Sequence, residues 1–64
     1  MKILIEPAEE KVLAALEPYP VHIDIVARKT GLEAGKLSGL LLNLELKGMI
    51  YQSPGKLFST REVT

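Results

Sequence analysis

The chain predicts a mainly α winged helix-turn-helix, with three helices and a small antiparallel β-wing. Three observations carry this expectation. Residues 22–47 hold two stretches of helical apolar spacing separated by Thr30-Gly31-Leu32. The second stretch stops at Gly48. A Pro54-Gly55 turn then sits between two short segments with strand character. A short helix, a glycine turn and a longer helix make a helix-turn-helix, and the appended hairpin is its wing. At 64 residues the sequence reads as one domain, 1–64, with a leader or short strand over 1–6 and a frayed tail over 61–64.

Each element has a local cause. Pro7 suits a first helical turn, where its missing N–H is no loss. Glu9 and Glu10 follow and favour the positive end of the helix dipole. Ala8, Val12, Leu13 and Leu16 form the expected apolar stripe. Pro18 and Pro20 end the helix and hold the link extended. Val21 is expected to bridge to the wing. His22 or its neighbour opens the second helix, with Asp24 in the first turn and Ile23, Val26 and Ala27 facing inward. Arg28 and Lys29 suit the last turn, and Gly31 the left-handed position that closes it. Leu32 plugs the turn. The third helix is predicted over 33–47, closed by Gly48, with Leu37, Leu40, Leu41 and Leu44 on its core face. Each such leucine contributes roughly 1.5–3 kcal/mol when fully buried. Residues 49–52 and 57–60 read as strands, and Pro54 and Gly55 stand in type II turn order.

Composition narrows the function classes. Hydrophobic residues reach 47%, enough for one core, but so short a chain buries only about 60% of its unfolded surface. There is no cysteine, hence no disulfide and no thiolate site. The one histidine, His22, has no carboxylates at metal-ligand spacing, so neither metal nor cofactor is expected. No apolar run approaches the roughly 18 residues of a membrane span, and MKILI is too short for a signal peptide. A cytoplasmic domain is the expectation. Ser38, Ser53 and Ser59 have no histidine–carboxylate pair evident from spacing. Glu9 and Glu10 point about 100° apart on a helix. The chain is therefore read as having no catalytic residues and no small-molecule substrate.

Formal net charge is zero, whereas a free-standing DNA-binding domain is usually basic. The charge is uneven along the chain. Residues 1–27 carry two cations against five acids, and residues 28–64 carry six cations against three acids. Arg28, Lys29, Lys36, Asn43, Lys47 and Lys56 are the candidate nucleic-acid-binding residues. Among them Lys36, Asn43 and Lys47 form a polar stripe on the third helix. The same stripe can also be an ordinary solvated face. Gly35, Gly39, Leu42 and Leu46 cluster opposite the core leucines and are the candidate interaction face. A competing reading covers Leu42 and Leu46 with MKILI or the wing. His22 is read as a helix-start residue bonded to backbone, with a pH switch as the rarer alternative.

From Pro20 onward the sequence resembles a known family. PVHIDIVARKTGL, SGLLLNLELKGMI and SPGKLFS are similar to the C-terminal winged-helix domain of the DNA-processing protein A family (DprA, or Smf). The shared pattern comprises Pro20, His22, Thr30-Gly31-Leu32, residues 44–48, Pro54-Gly55 and the wing aromatic Phe58. The resemblance implies a role in handling single-stranded DNA during natural transformation and recombination. It also implies that the main DNA-handling work lies in a Rossmann-like domain, which 64 residues cannot contain. The wing aromatic of the family is often tyrosine. Phe58 lacks the hydroxyl that could reach a phosphate.

Two functions are left open. One is an accessory module that contacts another protein domain, or itself, through the third helix. The other is weak, largely sequence-independent DNA binding by the third helix and wing.

Overall fold

The computed structural model describes residues 5–61. MKIL and residues 62–64 lie outside them, and with them most of the leader and of the predicted frayed tail. The element order is α1 (Pro7–Ala15), β1 (Val21–His22), α2 (Ile23–Thr30), α3 (Ala34–Leu46), β2 (Ile50–Ser53) and β3 (Leu57–Thr60). The three strands form one antiparallel sheet in the order β1-β3-β2. This is the predicted winged helix.

Helix ends follow the expected chemistry. Glu6 N donates to Glu9 Oε1 at 2.9 Å, so Glu9 reaches back to cap α1. His22 Nδ1 accepts from Asp24 N at 3.1 Å and caps α2, as its reading as a helix-start residue required. At the other end Gly31 has φ +72° and donates to Ala27 O at 2.8 Å. The buried Thr30 hydroxyl donates to Val26 O at 2.8 Å. The end of α3 is a Schellman motif. Gly48, at φ +75°, donates to Glu45 O, while Met49 N donates to Leu44 O.

The core joins all three helices to the sheet. Leu37, Leu40, Leu41 and Leu44 of α3 are buried, as their spacing predicted. They pack with Val12, Ala15 and Leu16 from the α1 region, Val26 from α2, and Val21, Ile50 and Phe58 from the sheet. One correction concerns this core. On α1 the buried face is Glu9, Val12 and Ala15, whereas Ala8 and Leu13 are only half-buried. Phe58 is 7% exposed and pairs with Val21, so the wing aromatic belongs to the core.

The wing is tied in at several points. Val21↔Phe58 and His22↔Leu57 pair β1 with β3, one residue more than the single bridge expected. Ile23 N donates to Lys56 O at 3.0 Å, and Thr60 N to Glu17 O at 2.9 Å. Ser53 pairs with Leu57, so the hairpin tip is Pro54, Gly55 and Lys56. Gly55 has the positive φ that the turn predicted, and Lys56 adopts one too, at +60°. Arg61, placed in the tail by the sequence, donates its N–H to Met49 O at 3.0 Å. Its guanidinium lies 5.3 Å from the Tyr51 ring centroid.

Candidate interaction surface

The six predicted nucleic-acid residues do not form one patch. Arg28, Lys36 and Asn43 are exposed. Lys29 turns toward α1. Its Nζ donates to Ala15 O at 3.5 Å and lies 3.9 Å from Glu17 Oε2. Lys47 also turns to α1 and donates to Glu9 Oε1 at 2.6 Å. Lys36 and Asn43 share that flank of α3 by helical spacing. Lys56 stands on the wing, at the opposite flank.

Glu9 is the residue that sequence reasoning placed least well. It is 1% exposed, and its carboxylate is held by Lys47 and by Glu6 N. The Lys47 hydrogen bond first, then the Glu6 backbone bond, pull its pKa below the usual carboxylate value. Burial opposes them and is outweighed. The signal for it was present in the i, i+3 spacing of Glu6 to Glu9 and of Glu9 to Val12. The first marks a capping pair and the second puts Glu9 on the buried side of the helix.

The outward face of α3 is apolar. Leu42 is 54% exposed and Leu46 76%. Gly35 and Gly39 are exposed on the same face, and a Cβ added to either would meet nothing within 4 Å. Among the described residues nothing covers this face. The alternative cover, MKILI, lies outside them save for Ile5.

Beside this face a groove of about 370 Å³ runs between α2, α3 and the wing. Leu41, Leu42, Phe58 and Ile23 give it apolar walls, while Asp24, Glu45 and Lys56 supply its charges. Ser38 and Gln52 add hydrogen-bonding groups. Sequence reading missed this groove, because its charged residues come from three separate elements.

Comparison with known proteins agrees with the winged-helix fold. The family model of the DprA winged helix domain matches residues 5–56. The chain belongs to the DprA winged helix domain family. It is also 37% identical to Protein Smf of Synechocystis sp. over 57 residues, or 89% of this chain. Those residues are 14% of the length of Smf, so the chain spans a small part of that relative. No solved structure is matched. Among the described residues of this DprA winged-helix chain, no helix is long and apolar enough to cross a membrane.

Proposed function

We propose that the chain is a non-catalytic module of a DNA-processing protein and works through protein contact at the outward face of α3. The carrying observation is the pair Leu42 and Leu46, both more than half exposed beside two glycines that leave the backbone approachable. Apolar side chains grouped in this way suit a protein surface better than phosphate and water. The surface they meet is another part of a DprA-type polypeptide. In Smf the aligned stretch is 14% of the chain, which leaves ample protein to pack against it. His22, the sole histidine, spends its Nδ1 on the α2 cap, which favours a structural role over catalysis.

Weak DNA binding is the second reading, favoured by exposed Arg28, Lys36 and Lys56. The two are separated by titrating the 15N-labelled domain with Synechocystis Smf lacking the aligned segment, and separately with oligonucleotides. Protein contact moves the Leu42 and Leu46 amide signals with Smf at concentrations where DNA moves none. Shifts at Lys36 and Lys56 with DNA, and none with Smf, overturn the reading.

A further inference from the structure

A groove between α3 and the wing that held a nucleic-acid strand would need cations along it. Here its charges point elsewhere. Asp24 at the start of α2 and Glu45 near the end of α3 put two carboxylates on it, against the single ammonium of Lys56. The Asp24 side chain is 73% exposed, and among the described residues neither Glu45 nor Lys56 has an ion-pair partner within 4.0 Å. Lys36, the one cation of α3, and the C-cap Lys47 share the other flank by helical spacing, and Lys47 is bonded there to Glu9. A phosphate backbone laid in this groove would meet net negative charge. An apolar floor beneath an acidic rim instead complements an apolar segment that carries cations.

We propose that this groove seats a basic amphipathic segment of a partner polypeptide. Its apolar side chains pack on Ile23, Ala27 and Leu42, the accessible apolar residues of the lining, and its lysine or arginine side chains pair with Asp24 and Glu45. A volume of about 370 Å³ falls within the range of ligand clefts, roughly 300–1,000 Å³, and admits more than one apolar side chain. Leu42 belongs both to the groove and to the outward face, so the segment continues onto that face. The inference rests on the reading of protein contact and names the chemistry of the partner.

The test uses a short synthetic peptide with leucines at i, i+3 and i+4 and lysines between, beside its leucine–glutamate counterpart and a single-stranded oligonucleotide. The lysine peptide is expected to shift the amide signals of Ser38, Leu42, Gln52 and Phe58. Its affinity should drop about tenfold in Glu45→Lys, or about 1.4 kcal/mol. Ser38→Trp, which fills the groove from an exposed position, should abolish binding while the thermal melt stays two-state. Equal or tighter binding of the glutamate peptide overturns the proposal, as do groove shifts with the oligonucleotide. If Leu42→Glu with Leu46→Lys abolishes binding to truncated Smf while Glu45→Lys and Ser38→Trp leave it intact, the groove is refuted and the protein-contact reading stands.

Discussion

Lys47 Nζ lies 2.6 Å from Glu9 Oε1, joining the residue that caps the end of α3 to the first turn of α1. Glu9 is 2% exposed at its side chain and Lys47 30%, so the anion is the buried member. Removing one partner of a buried pair is more damaging than replacing both, because it strands the other charge. Lys47→Met should therefore lower the melting temperature more than Glu9→Leu with Lys47→Met together. A double variant less stable than Lys47→Met alone would show that the pair is not a coupled unit.

The same pair sets a pH dependence. The folded-state pKa of Glu9 is lowered from an ordinary value of 4.5, chiefly by the Lys47 hydrogen bond. The stability it contributes is fully present above that ordinary value and is lost as pH falls through the lowered one. Melts between neutral pH and pH 3 should show wild type losing stability on acidification, with a shallower loss in Glu9→Gln. Parallel curves would refute this assignment.

Gly31 closes α2 at φ +72°, where a Cβ is strained even though space is free around it. Gly31→Val should cost about 1 kcal/mol or more. In a domain of this size that lowers Tm by roughly 4–8 °C. An unchanged Tm would mean that the turn readjusts without penalty.

Gly39 offers the opposite case. It lies within exposed helix and has no positive φ, so Gly39→Ala should raise stability by roughly 0.5–1 kcal/mol. It should also weaken contact with truncated Smf, since the added methyl stands on the approachable face. A variant that is stabilised and binds equally well would remove the glycine from the interface.

Exposed Leu42 and Leu46 can be changed without touching the core. Leu42→Glu with Leu46→Lys should leave the melt within about 0.5 kcal/mol per site. Anisotropy of wild type with random DNA at 150 mM salt should give dissociation constants no better than about 10⁻⁴ to 10⁻⁶ M. A melt lowered together with new protease sensitivity at the N-terminus would show that MKILI covers the stripe. Nanomolar DNA binding would favour the nucleic-acid reading.

The helix-turn-helix was legible because its causes are local. Four leucines at helical spacing and glycines at two helix ends each act within a turn or two of their own position. Glu9 was not legible in the same way. Its burial depends on Lys47, 38 residues away, and an acid in a first turn suits the dipole equally well when exposed. Periodicity placed Lys36, Asn43 and Lys47 on one stripe, yet it could not say that this stripe lies on the α1 flank and away from Lys56. The groove was invisible for a related reason: Asp24, Glu45 and Lys56 meet only once the sheet has closed.

The central position of β3 bears on where this folding unit can be cut. The family model matches residues 5–56, and the middle strand begins at Leu57. A chain truncated at that boundary would leave β1 and β2 with no shared neighbour and strip Phe58 from the interior. Val21 and Phe58 meet across most of the sequence, a closure whose entropy must be overcome before the contact gives any return. Helices formed from local contacts can precede it, which predicts that the final strand pairs late. A transplantable version of the domain should therefore run at least to Arg61, whose N–H is the last of the described tethers to the rest of the fold.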